Sequence, residues 1–146
     1  MKRLVMSARS ASKKTDNKDY LNPKTKFNDE TFSDDEMYDA IGEFLYSNGI
    51  APDDLKANIS SREYYEDDEF EVNCKFSWIF YPEDVPKKDF KKVANKIEKL
   101  FKDKFKSDDW FEVDCIRYDD SEYSEHGYDV ELLLRIHYKL ISDDDI

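Results

Sequence analysis

The chain has 146 residues, 40% of them charged, a mean hydropathy of −0.90 and a formal net charge of −12. That length suits one domain with a single core, for which the 15% of aromatic residues supply the bulk. The unbroken apolar runs at residues 4–6, 78–81 and 132–134 are too short to span a bilayer or serve as a signal peptide, so a cytoplasmic protein is expected.

Residues 1–32 read as a flexible basic arm. From Ser7 to Asn28 the chain is mostly Ser, Lys, Asn, Asp and Thr, a composition that buries little. Leu4, Val5 and Met6 are a candidate edge strand, and Tyr20 or Phe27 a candidate anchor. A single α+β domain is expected over residues 33–142, followed by an acidic tail at 143–146.

The first helix has clear punctuation. Ser33 is a good N-cap, Glu36 completes a capping box, and Asp34 and Asp35 suit the positive end of the helix. Met37, Ala40, Ile41, Phe44 and Leu45 form one apolar stripe, Asn48-Gly49 supplies a left-handed cap, and Pro52 forbids continuation. The acids here are read as a solvated helix start.

Residues 55–65 follow as a weaker strand with Leu55, Ala57 and Ile59 inward. Glu66, Asp67, Asp68 and Glu69 make the turn, and the chain returns through Phe70, Val72, Cys74, Phe76, Trp78 and Phe80. Alternation at period two puts those six apolar groups on one sheet face. Pro82 to Pro86 then introduces a second helix. Phe90, Val93, Ala94, Ile97, Leu100, Phe101 and Phe105 line one side, and Lys88, Lys92, Lys96 and Lys99 ridge the other.

Residues 111–118 form a third long strand, with Phe111-Glu-Val-Asp-Cys115 repeating the pattern of Phe70-Glu-Val-Asn-Cys74. An acidic turn carries Asp119, Asp120, Glu122 and Glu125. The last strand alternates through Tyr128, Val130, Leu132, Leu134, Ile136, Tyr138 and Leu140. Helix, hairpin, helix, hairpin gives a two-layer α+β sandwich: a mostly antiparallel four-stranded sheet with both helices on one face and the other face open. A right-handed crossover through the lysine helix makes the second and third strands parallel, so the acidic hairpin tips lie at opposite ends of the sheet.

Little in this chain points to catalysis. With three Gly, at 42, 49 and 127, there is no Gly-rich phosphate loop. His126, near Glu122 and Glu125, is the best acid–base candidate, but a lone turn histidine is more often decoration. His137 falls on the open strand face. Cys74 and Cys115 fall on inward parities as reduced, unreactive thiols. A non-enzymatic protein without cofactor or metal is expected.

Charge is what remains. Residues 27–85 carry seventeen acids against three bases and residues 107–146 thirteen against three, whereas residues 1–26 and 86–106 are each basic by six. An interaction module is expected whose acids, at Glu66, Asp67, Asp68, Glu69, Asp119, Asp120, Glu122 and Glu125, meet a basic surface on a partner protein. Acids on a rigid scaffold can imitate phosphates and occupy a nucleic-acid-binding surface, a principle used by small inhibitors of phages and mobile elements. The alternative is an accessory protein that binds nucleic acid through Arg9, Lys13, Lys14 and the lysine ridge, against which the net charge weighs.

Overall fold

The computed structural model describes residues 18–65, 69–119 and 127–141. Its scaffold starts from two alternating strands, β3 (Glu69–Phe80) and β5 (Tyr128–Leu140). They pair antiparallel without a break, from Glu69 opposite Lys139 to Phe80 opposite Tyr128. Period-two side-chain alternation therefore stacks Phe70 with Tyr138, Val72 with Ile136, Cys74 with Leu134, Phe76 with Leu132 and Trp78 with Val130 on one face. All ten are at most 3% exposed.

Two helices supply the rest of that core. Helix α1 (Asp34–Ser47) buries Met37, Ile41 and Leu45, and α2 (Phe90–Lys104), entered through a 3-10 turn at Lys87–Asp89, buries Phe90, Ala94, Ile97 and Phe101. Their stripes join the inward residues of β3 and β5 in one cluster, and Phe44 meets Phe101 edge-on at 5.0 Å. Both apolar stripes fall where the sequence spacing puts them. Ser33 caps α1 by accepting from the Glu36 amide at 3.2 Å, and Gly49, at φ 81°, gives the left-handed exit.

The sheet is mixed and five-stranded, which corrects the expected four. Its order is β1-β5-β3-β2, with β4 also on β5. The edge of β5 away from β3 is divided: β4 (Glu112–Asp119) pairs antiparallel with residues 129–135, and β1 (Lys26–Phe27) pairs parallel with Lys139 and Leu140. β3 and β4 thus run parallel with β5 between them. The strand considered at residues 4–6 lies outside the described residues.

The N-terminal arm also needs redrawing, because residues 18–32 belong to the folded body. Tyr20, Phe27 and Phe32 are 3%, 0% and 4% exposed. Phe27 stacks on Tyr20 at 4.8 Å and meets Phe32 and Tyr138 edge-on at 5.2 and 4.8 Å. The Tyr138 hydroxyl donates to the Tyr20 carbonyl at 2.6 Å. Tyr20 also enters the capping box. The Ser33 amide donates to its hydroxyl oxygen at 3.0 Å, and that hydroxyl donates to Glu36 Oε1 at 3.0 Å. The reciprocal bond expected between Glu36 and Ser33 is thus relayed through a third residue.

Strand β2 (Asp53–Tyr65) is the other edge of the sheet. Register breaks between Asp53 and Lys56 and between Ile59 and Ser61, with Asp54 at φ 56°, interrupt its alternation. Leu55 and Ile59 pack on the core, but Ala57, expected inward, is exposed. A bulged edge is a poor template for further strand pairing.

Candidate functional site

Of the acids singled out from sequence, the two among the described residues, Glu69 and Asp119, stand apart. Glu69 opens β3 opposite Lys139, whereas Asp119 closes β4 opposite Asp129, at the other end of β5. Glu66, Asp67, Asp68, Asp120, Glu122, Glu125 and His126 lie outside the described residues. The lysine ridge is divided too. Lys88 and Lys92 are exposed. The Lys96 ammonium donates to the Asn48 carbonyl at the end of α1 at 3.1 Å, and Lys99 pairs with Asp103 at 3.1 Å. Arg9, Lys13 and Lys14 also fall outside the described residues.

An acidic surface that sequence reasoning set aside lies along α1. The spacing that buries Met37, Ile41 and Leu45 leaves Asp35, Asp39 and Glu43 on the solvent side, one every four residues, a rise of about 6 Å per step. Tyr46, 73% exposed, and Asp54 extend this face. No Lys, Arg or His occurs in the 14 residues of α1, so no helical neighbour neutralises the row. The signal was present as the polar counterpart of the apolar stripe.

The sheet face expected to be open is covered at one end. Glu71 and His137 are only 7% and 9% exposed, because the segment after α2 brings Asp108 over the edge of β5. There Asp108 Oδ2 accepts the backbone amide of His137 at 2.8 Å, filling the gap between β4 and β1 where no strand carbonyl is available. The His137 ring lies between two carboxylates, Nε2 at 3.0 Å from Glu71 Oε1 and Nδ1 at 3.3 Å from Asp108 Oδ1. Asn73 Nδ2 donates to Glu71 Oε2 at 2.9 Å, Arg135 Nε donates to Asn73 Oδ1 at 3.1 Å, and Arg135 reaches Glu112 at 3.2 Å. This network spans β3, β4, β5 and the α2–β4 segment and holds its members in one arrangement. Asp108 carried no sequence signal, since an aspartate replacing a strand is a long-range event.

The thiols are placed as the alternation implied. Cys74 and Cys115 are buried, and burial pushes each thiol from the ordinary 9.0 up to about 12. Burial likewise raises Tyr20 from 10.0 to about 12. At neutral pH almost no thiolate exists for nucleophilic attack. All three groups hold their proton more tightly when folded than when unfolded. The stability this represents is complete below about pH 9 and lost as pH rises toward 12. Native protein at pH 8 should therefore label slowly with a thiol reagent, and alkaline titration followed by circular dichroism should show unfolding between pH 9 and 12. Rapid labelling of both thiols in the native state would contradict their burial.

Among the described residues no three His, Cys, Asp or Glu side chains converge as metal ligands, and no helix is long and apolar enough to cross a membrane. The arrangement defines a two-helix, five-stranded α+β sandwich with one acidic helix face. No protein-family model matches this chain, and no curated protein or solved structure does either.

Proposed function

We propose that the protein is a non-catalytic interaction module that presents an acidic surface to a basic surface of a partner protein, in the manner of an inhibitor occupying a nucleic-acid-binding site. The observation that carries this reading is the outer face of α1, where Asp35, Asp39 and Glu43 are exposed in a row on a helix without a base. Fixed charges on a rigid helix lose little entropy on binding and steer oppositely charged partners by their field. The hairpin acids expected from sequence add their charge to that field.

The lysines at the start of α2 and in the turn before it support the alternative, nucleic-acid binding, since Lys88 and Lys92 are exposed. They sit in a molecule of net charge −12, which opposes approach to phosphates. The two readings predict opposite signs. Under the first, the D35N/D39N/E43Q variant should bind a lysine-rich peptide roughly tenfold more weakly, mostly through a slower on-rate, with a shallower dependence on salt. Neither duplex nor single-stranded DNA should bind at low salt. Micromolar DNA binding that is lost in K88A/K92A would overturn the proposal.

A further inference from the structure

Between the end of α1, the start of β2, the end of β3 and the start of α2 lies a cleft of about 640 Å³. Its lining is mixed, with Ile50, Phe80, Val85 and Val93 supplying much of the apolar part. Exposed carboxylates, Asp53 and Asp84, stand at its lining on different segments of the chain. The positive-φ residue Asp54 and the following register break start β2 here, with Asp53 opposite Ile79 and its carboxylate raising the pKa of the Tyr81 hydroxyl.

Two further observations concern charge. The C-terminal end of α1 faces this cleft through Gly49 and Ile50, and a helix C-terminus carries partial negative charge. The last turn of α1 has no basic residue to complement that charge. Lys96, the one base lining the cleft, lies with its ammonium 3.1 Å from the Asn48 carbonyl. A side-chain cation therefore already occupies part of this end, and Asp53 and Asp84 line the rest.

We infer that the cleft is an anchor site for an arginine side chain from the basic partner, its methylene stem against the Ile50, Phe80, Val85 and Val93 wall and its guanidinium toward Asp53 and Asp84. This inference rests on the interaction reading above and names the feature of the partner that the module captures. Arginine fits better than lysine. Its planar, weakly hydrated fork can engage carboxylates while its stem covers apolar surface, whereas an ammonium holds its water. A flat acidic face supplies steering. A cleft lined by both apolar and charged groups supplies the anchor on which lasting affinity depends.

The test titrates the full chain with an arginine-rich peptide and with the same peptide carrying citrulline, which keeps the shape and removes the charge. Methyl resonances of Ile79, Val85 and Val93 report occupancy of the cleft. The arginine peptide should shift them, and the citrulline peptide should bind at least about tenfold more weakly, as expected on losing a charge-assisted hydrogen bond. D53N/D84N and A51W, the latter filling the mouth from an exposed position, should each weaken the arginine peptide about tenfold. Two independent variants guard against misfolding of either. If the peptide binds but these methyls do not move and both variants bind as the wild type, the cleft is not the anchor and the interaction reading stands. If neither the arginine-rich nor the lysine-rich peptide binds the wild type, both fall.

Discussion

Trp78→Ala should lower stability by about 3–5 kcal/mol, the range for deleting a large core aromatic, and Ile79→Ala by less than about 2 kcal/mol. Trp78 is 2% exposed, faces Val130 across the central pair and meets Phe80 edge-on at 5.7 Å. Ile79, the next residue, points to the opposite face and is half-buried, resting on Gly127. Gly127 sits at φ 139°, and a Cβ there would come within 2.7 Å of the Ile79 Cγ2, so β5 can begin at this point only with glycine. A third variant sharpens the test. The indole Nε1 of Trp78 has no hydrogen-bond partner among the described residues, so Trp78→Phe sheds an unsatisfied donor and should cost clearly less than Trp78→Ala. Urea unfolding of the three variants checks the order. Equal losses at positions 78 and 79 would mean that the register is wrong.

Phe27→Ala is the second large effect, at about 3–5 kcal/mol, although it lies in a strand of only two residues. The ring is fully buried against Tyr20, Phe32 and Tyr138. Its loss empties the junction between the N-terminal segment and the end of β5. The backbone bonds from the Lys139 amide to the Thr25 carbonyl and from the Ile141 amide to the Phe27 carbonyl, each 3.0 Å, should then open. Hydrogen exchange at Lys139 and Ile141 should accelerate far more than at Val130, where β4 and β3 still pair on both sides. A loss under about 1 kcal/mol would place Phe27 outside the core.

These two variants also mark what the sequence could and could not reveal. Trp78 belongs to a twelve-residue alternation that only a strand can satisfy, and the stripes of α1 and α2 are equally unambiguous, so the core faces were readable. Phe27 stands alone among polar residues. A two-residue strand has no period, and its burial depends on meeting Tyr138 from the far end of the chain. Tyr20 and Phe27 could be named as candidate anchors, but the joining of residues 18–32 to the body could not, since a composition that buries little on average can still contain anchors that bury completely. Breaks in β2 moved Ala57 to the surface because the bulges that produce them come from the packing of an edge, beyond the reach of local pattern. At the surface, the acids of α1 were visible but were read only for their effect on the helix end. Asp108 and the cleft beside Asp53 require the tertiary fold to be seen at all.

The position of β5 has a consequence for how the molecule is made. The strand that β1, β3 and β4 all pair with follows all three in the sequence. While the chain leaves the ribosome, β2 and β3 can form a hairpin and the helices can flicker, but β1 and β4 have no neighbour to dock on until residues 128–140 emerge. The apolar row of β3 must wait for its partner until residues 128–140 emerge. Assembly of the sheet is therefore decided by β5, and a nascent chain stopped before Tyr128 holds the parts of a sheet without its centre.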